Sequence, residues 1–363
     1  MDIEKKIKLI SQPPTEEIVT LEELRELLES KSKPIAYDGF EPSGLLHLGS
    51  GLLRAIKLQD MIRAGCRFKL YVADWFGYIN NKMGGDLDLI RETGKYFIEG
   101  WKACGVDTSK TEIVWCSDLV KDPDYWKTFI MLGKKTTLKR AIRCLTIMGR
   151  KESELSEVAQ LFYPIMQCTD IFRLKADITQ LGMDQRKVNI LARELGPKIG
   201  LWKPVVVSHH LLMGLQGPMK MGGFEENKKL DKEISFKMSK SIPMSCISIH
   251  DSKKEVENKI KRAFCKPKDT ENNPILEICK YIIFRKKKEL EINRKPKFGG
   301  DITFYDYESL EKEFRQGKLH PLDLKESVAN SLNQILEPIR KHFNKNKKAK
   351  KLYEKVKKAK ISR

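Results

Sequence analysis

Between residues 33 and 74 the chain spells out one complete strand–helix–strand unit. KPIAYDGFEPSG is a short apolar run that ends in glycine and proline, a strand leaving into a loop. LLHLGSGLLRAIKLQDMIRAG has helical periodicity and stops at Gly65, and FKLYVAD is a second strand. Two strands joined through a helix must run parallel, so the unit commits this part of the chain to an α/β parallel sheet. The alternation continues, with a helix over 86–104, a strand TEIVW (111–115), a strand-like stretch ending at Asp177–Thr179, a helix over 184–195 and a buried strand from Trp202 to Val207.

Around this frame the chain changes character four times. Residues 16–30, with Leu21, Leu24, Leu27 and Leu28 at helical spacing, read as an amphipathic helix, so 1–30 is expected to be an N-terminal helical segment. The sheet domain spans 31–215, and its stretch 120–160 is basic and largely helical, an insertion between two halves of the sheet. Residues 216–236 are rich in glycine and charge and lack periodicity, so 216–250 is expected to be a mobile loop. From 251 to 343 the pattern is that of a separate, mostly α-helical domain, and 344–363 is a lysine run suited to a basic helix or to disorder.

Sixty-nine basic residues against 49 acidic ones leave a formal net charge of +20. Such a surface attracts polyanions, although a solubilising Lys/Glu surface has the same composition. No apolar run approaches the roughly 20 residues of a membrane-spanning helix, and the N-terminus lacks a signal-type apolar core, so a cytoplasmic protein with no membrane partner is expected. The eight cysteines form no CxxC pair and the histidines do not complete a zinc pattern. They read as reduced thiols packed as small apolar groups, with no metal site.

Two short segments carry candidate chemistry. His47-Leu48-Gly49-Ser50 lies where the first strand hands over to its helix, the usual anion site of a parallel sheet. A glycine there lets a nucleotide approach the backbone. His47 alone reads more readily as a capping or core histidine. Lys237-Met238-Ser239-Lys240-Ser241 follows the glycine-rich stretch, and two lysines three apart can close over a triphosphate; alone it is also a solvated basic loop. Tyr163, Gln167 and Asp170 stand at i, i+4 and i+7, a polar stripe on an otherwise apolar helix. Without further information a solvated stripe is the simpler reading.

Together, in this order and followed by a helical domain, the two segments resemble the HIGH and KMSKS signatures of class I aminoacyl-tRNA synthetases, over roughly residues 20–343. YPIMQxxDI (163–171), FEPSGLLHLG (40–49) and GMDQRKVNILARE (182–194) resemble tyrosyl-tRNA synthetases of the archaeal and eukaryotic kind. The resemblance implies a Rossmann-like catalytic domain with a helical insertion and an α-helical anticodon-binding domain. It implies that tyrosine and ATP, with Mg²⁺ on the phosphates, give tyrosyl-adenylate, which is transferred to tRNA(Tyr). His47, Lys237 and Lys240 take the catalytic roles, and Gly39, His47, Gly49, Ser50, Lys237, Met238 and Lys240 bind ATP. Tyr37 and Asp170 hold the phenol, and Tyr163, Gln167 and Gln185 the α-amino group. KPKFGGDI (295–302) and LHPLDLK (319–325) resemble the anticodon-reading part, assigning Phe298, His320 and Asp323 to the anticodon; as bare residues Phe298 equally suits a core and Asp323 a helix cap. The family also implies a homodimer through the insertion. Two positions depart from the pattern, Ser50 in place of the second histidine of HIGH and Phe76 in place of a polar histidine near the pocket. A tryptophanyl-tRNA synthetase, a non-catalytic RNA-binding paralogue and a nucleotidyltransferase that charges nothing are the competing readings.

Overall fold

The computed structural model describes residues 1–150, 152–242 and 244–359; position 151 of the insertion, 243 of the loop and 360–363 of the tail lie outside. Helix α1 (Ile3–Ser11) is followed by strand β1 (Thr15–Val19) and helix α2 (Leu21–Ser30). The expected helix over 16–30 is therefore cut short, and the first four of its residues belong to a strand. The cause is local. Thr20 and Glu23 form a reciprocal cap, each side chain accepting the other's backbone N–H at 3.2 Å, which starts the helix at Leu21 and leaves TEEIV extended.

The sheet continues through β2 (Ile35–Phe40), α3 (Arg54–Arg63), β3 (Arg67–Val72), α4 (Asp74–Ile79), α5 (Leu87–Ala103) and β4 (Thr111–Trp115). The insertion carries α6 (Cys116–Leu119), α7 (Pro123–Lys134), α8 (Leu138–Cys144) and α9 (Val158–Arg173). β5 (Ile178–Gly182), α10 (Arg186–Leu195) and β6 (Val205–His209) complete the second half, with β6 starting three residues later than expected. Strand order is β1-β6-β5-β2-β3-β4, with every neighbour parallel except β1, which runs antiparallel to β6. The chain leaves β2 toward β3 on one side and returns as β5 on the other. This reversal of strand order opens a crevice at the carboxyl ends of the strands. Pairing between β2 and β5 covers only Ala36↔Ile178 and Tyr37↔Thr179, so the two strand ends are free to face it.

Residues 228–236, expected to be loop, form α11 (Lys228–Phe236). Asn227 caps it, and the buried Asp231 carboxylate accepts the N–H groups of Gly223, Phe224 and Glu225, wrapping the glycine-rich stretch around the helix. Beyond it come α12 (Lys253–Arg262), α13 (Pro274–Ile278), α14 (Phe284–Lys286), a hairpin of β7 (Leu290–Ile292) and β8 (Ile302–Phe304), α15 (Tyr307–Gln316), α16 (Pro321–Lys345) and α17 (Lys347–Lys358). The hairpin was not expected, and Lys347–Lys358 of the lysine run form a helix. Ala349, Leu352 and Val356 of α17 are buried in the same apolar cluster that holds Leu46, Phe68 and Trp101 of the sheet half and Val256 and Leu332 of the helical part. The helical part is therefore not separate; it shares one core with the catalytic half. A second cluster, with Phe76, Leu132, Ile171 and Leu191, lies on the insertion side. All eight cysteines are unpaired thiols. Among the described residues no helix is long and apolar enough to cross a membrane.

Candidate active site

At the switch point lies a cavity of about 610 Å³. The residues given to ATP and to tyrosine line it, with one exception.

The end expected to take the nucleotide begins at His47. The next six residues, Leu48–Leu53, form a π-helical turn before α3, and His47 caps it. Its Nδ1 accepts from Gly49 N–H at 3.2 Å, and Ser50 Oγ accepts from His47 N–H at 3.1 Å. Burial, with Lys240, Arg54 and Lys237 nearby, pulls the imidazole down to about 3, so the ring is neutral. Because Nδ1 is an acceptor, the proton sits on Nε2, which is left as a donor. Gly49 is the exception. It lies behind the ring, where a Cβ would come within 3.1 Å of His47 Cε1, and its N–H is already used. A side chain at this position would crowd the imidazole. Ser50 lines the cavity with its oxygen accepting, so its own proton remains free to donate.

The KMSKS segment is pinned at both ends. Upstream, Met238 N–H donates to Leu212 O at 2.6 Å and Gly214 N–H to Phe236 O at 2.8 Å, with Lys237 opposite Met213. Downstream, Leu48 N–H donates to Ile247 O at 3.0 Å and Ile249 N–H to Leu46 O at 3.1 Å. The residues just past KMSKS are thus paired with the residues that lead into His47, and the two signatures share one frame. Met238 is buried beside the cavity. Lys237 Nζ lies 2.7 Å from Asp184 Oδ2. Burial alone would raise that carboxyl, but the lysine overrides it and holds it below the usual range. Lys240 donates to the carbonyl and hydroxyl of Ser43, and burial brings its ammonium down to about 7.

The other end is built on β2, β3 and α9. Tyr37 and Tyr71 reach the base of the pocket, where Asp170 Oδ1 accepts from Tyr125 Oη at 2.9 Å. Asp170 Oδ2 and the hydroxyls of Tyr37 and Tyr71 are buried without a hydrogen-bond partner. Orphaned buried polar atoms are rare and costly, so this trio is a socket shaped for a polar group from outside. Burial pushes the Asp170 carboxyl up to about 8, which the hydrogen bond from Tyr125 offsets only in part. Above it Gln167 Nε2 donates to Gln185 Oε1 at 3.1 Å, and Tyr163 Oη donates to Glu41 Oε1 at 2.6 Å. Phe76 stands edge-on to Tyr163, ring centroids 4.6 Å apart, making that wall apolar.

Five further residues belong to this site. Glu41 and Asp184 lie inside the matched segments FEPSG and GMDQ, where a check for acids would have found them. Tyr71 lies on β3, within the FKLYVAD strand. Arg54, held over Phe40 at 4.3 Å and 3.4 Å from Asp38, and Tyr125, brought in by the insertion, carry no local signal.

The anticodon candidates stand apart from this cavity. Phe298 ends a short turn, Pro296–Phe298, and is 58% exposed, which excludes a core role. Arg294 ties the hairpin loop to the loop before α16, donating to Gly300 O at 2.8 Å and Lys318 O at 3.1 Å. His320 is the cap of α16, its Nδ1 accepting from Leu322 N–H at 3.2 Å. Asp323 is therefore not the cap, and its carboxylate has no hydrogen-bond or ion-pair partner among the described residues.

A family profile described as "tRNA synthetases class I (W and Y)" matches residues 29–234 and 230–337. The chain is 44% identical to the cytoplasmic tyrosine–tRNA ligase 1 of Arabidopsis thaliana over 365 residues, covering 100% of this chain and 90% of that protein. It is 44% identical to the tyrosine–tRNA ligase of Thermococcus sibiricus, covering 95% and 96%. The tyrosyl-tRNA synthetase of Pyrococcus horikoshii, solved with L-tyrosine, superposes with a TM-score of 0.90 at 41% identity, covering 98% of this chain and 100% of that one. A tryptophanyl-tRNA synthetase from Aeropyrum pernix, at 18% identity and a TM-score of 0.66 over 94% of this chain and 85% of that one, shares the fold alone. The chain belongs, within the class I tRNA synthetases for tryptophan and tyrosine, to the tyrosyl-tRNA synthetases of the archaeal and eukaryotic kind, enzymes that activate tyrosine with ATP and load it onto tRNA.

Proposed function

We propose that the cavity performs tyrosine activation with the following division of labour. The substrate phenol fills the socket of Asp170 Oδ2 and Tyr37 Oη, and the α-amino group meets Tyr163, Gln167 and Gln185, with Glu41 beside them. A carboxylate oxygen of tyrosine attacks the α-phosphorus of ATP in line, the bond to the bridging oxygen breaks, and pyrophosphate departs. His47 Nε2–H, Ser50 Oγ–H and the Lys237 and Lys240 ammoniums neutralise the charge that grows on the phosphates. Gly39 and Met238 shape the wall. Such groups accelerate by favouring the transition state over the bound substrate. Mg²⁺ would come in on ATP, held by phosphate and water rather than by this chain, since Glu41 and Asp184 already face Lys82 and Lys237 and Asp170 lies at the other end of the cavity.

The observation that carries this reading is the meeting, in one cavity, of both signature segments with an unsatisfied carboxylate–tyrosine socket. ATP–pyrophosphate exchange run with each standard amino acid tests it. Exchange that depends on tyrosine supports it, and exchange that depends on tryptophan overturns it.

The same reading extends to tRNA(Tyr), with Phe298 stacking on an anticodon base and Asp323 and His320 reading its edge. It also extends to a homodimer. Trp126 and Ile130 on α7 and Phe162 on α9 are exposed, and Trp126, Phe129 and Phe162 form a continuous aromatic run, an apolar face suited to a second copy. The name of the Arabidopsis relative places that enzyme in the cytoplasm, and the same setting is proposed here.

A further inference from the structure

A second charged centre lies outside the cavity, on the far side of the strand that supports KMSKS. Residues 212–214 pair with 236–238, and Met213 faces Lys237 in that pair. The Met213 N–H points away from it and donates to Glu277 Oε2 at 2.7 Å. Glu277 belongs to α13, in the helical part. The same oxygen lies 3.1 Å from His210 Nε2, an ion-pair contact without hydrogen-bond alignment, and His210 Nδ1 is hydrogen-bonded to Glu16 Oε2 on β1 at 2.6 Å. The imidazole is 8% exposed and stacks on Tyr281, ring centroids 4.2 Å apart. From α11, Lys229 approaches Glu16 at 3.6 Å, and Glu233 turns a buried, unpartnered oxygen toward the group.

The imidazole of this acid–imidazole–acid row is buried and its two acids are partly buried, and such a row is costly to assemble, since burial penalises each charge. Burial alone would depress His210, but Glu277 and Glu16 override it and hold the imidazolium up to about 10. Glu277 faces the histidine through the same oxygen, and a charge-assisted bond from a backbone N–H to a carboxylate is shorter and stronger than a neutral one. The row thus commits a buried charge to fixing one main-chain amide. That amide belongs to the residue directly opposite the first KMSKS lysine. On the other face of the same pair the Lys237 side chain is held by Asp184.

We propose that Glu277 is a positioning residue for adenylate formation: through the Met213 main chain it fixes the strand against which Lys237 is set, so a residue of the helical part governs the geometry of the catalytic loop. This rests on the transition-state role given above to Lys237. Misplacement of a catalytic group by about 1 Å costs up to about 100-fold, and a partial release less. Because Glu277 acts through Lys237, its removal matters only while the lysine is present.

The test is a double-mutant cycle on the full-length protein, with single-turnover tyrosyl-adenylate formation and tyrosine affinity as readouts. Glu277→Gln is expected to slow adenylate formation about tenfold, with tyrosine affinity within about twofold of wild type. In a Lys237→Ala background the same change is expected to cost less than about twofold. An equal cost in both backgrounds, or a fall in tyrosine affinity that matches the fall in rate, overturns the proposal. If Lys237→Ala alone costs nothing, the role of Lys237 and this proposal fall together; if it is costly and Glu277→Gln simply adds to it, only this proposal falls. Should Glu277→Gln fail to fold, Glu16→Gln at the outer end of the row is put through the same cycle. It is expected to give the same non-additive pattern at about threefold, and additivity there overturns the proposal equally.

Discussion

Lys237 Nζ and Asp184 Oδ2 stand 2.7 Å apart in the wall of the cavity, so the first KMSKS lysine is already paired with a carboxylate at the end proposed for the nucleotide. Its use in catalysis therefore requires exchanging a carboxylate for phosphate oxygens that gain charge as the reaction proceeds. Lys237→Ala is expected to slow adenylate formation about 10- to 1,000-fold while tyrosine affinity barely changes. Stopped-flow measurement of adenylate formation beside equilibrium tyrosine binding checks this. Tyrosine binding that weakened as far as the rate fell would remove the lysine from the transition state.

Tyrosine binding is expected to release protons near neutral pH. In the empty pocket burial holds Asp170 up to about 8, so at pH 7 the carboxyl is mostly protonated. A phenol O–H donated to its orphaned oxygen favours the charged form and lowers that value. Below about 8 the bound state thus carries fewer protons than the free state, and affinity rises with pH until it flattens above about 8. Calorimetry at pH 7 in buffers of differing ionisation enthalpy should report a fractional proton released, and Asp170→Asn should abolish it. Proton uptake would contradict the assignment.

The same carboxyl sets a stability trend. Its folded value lies above the ordinary 3.8, so between about 4 and 8 the folded state holds a proton that the unfolded chain has lost. Its contribution to stability falls as pH rises through that window, by at most about 1.4 kcal/mol per unit. Asp170→Asn should flatten the decline. Denaturant titrations of both proteins at pH 5, 6, 7 and 8 test this, and parallel curves would refute it.

Asp323, partly exposed and unpaired in the first turn of α16, should matter for tRNA alone. Asp323→Ala is expected to cost about 1–3 kcal/mol in charging of tRNA(Tyr) and nothing in tyrosyl-adenylate formation. Phe298→Ala should weaken tRNA by a similar amount through lost stacking. Comparing aminoacylation with pyrophosphate exchange separates the two half-reactions. Equal losses in both would mark a folding defect.

The sheet and its site were legible where period and motif coincide. Alternating strands and helices gave the crevice, and HLGS, KMSKS and the Tyr163–Gln167–Asp170 face all reach one cavity. What escaped was decided by neighbours. β1 hid because TEEIV precedes leucines at helical spacing, and only the Thr20–Glu23 cap, readable as T-x-x-E, separates the two. α11 hid because its lysines and the glycines before it look like loop, whereas its order comes from Asp231 binding three backbone amides. The lysine tail is ordered because one face of α17 carries Ala349, Leu352 and Val356 into a core supplied by distant residues. Tyr125 reaches Asp170 from 45 positions away, a contact that no local pattern encodes.

Tyrosine and phenylalanine differ by one hydroxyl, and an apolar pocket alone rejects the smaller ligand poorly. A site built to bond the hydroxyl rejects its absence strongly. Tyrosyl-tRNA synthetases are themselves the established example of such selectivity, rejecting phenylalanine by about 10⁵-fold without editing, a property of the enzyme type rather than a result of this structure. In the proposed pose the hydroxyl's partners are Asp170 Oδ2 and Tyr37 Oη, which have no hydrogen-bond partner within the chain. The most direct measurement is steady-state pyrophosphate exchange with tyrosine and with phenylalanine, for wild type, Asp170→Ala and Tyr163→Phe. Asp170→Ala is expected to raise the tyrosine KM and narrow the tyrosine/phenylalanine ratio of kcat/KM by at least about tenfold, equivalent to about 1.4 kcal/mol. Tyr163→Phe, whose hydroxyl serves the end common to both amino acids, should weaken the two alike and leave the ratio in place. A ratio unchanged by Asp170→Ala would contradict the claim that this carboxylate chooses the substrate.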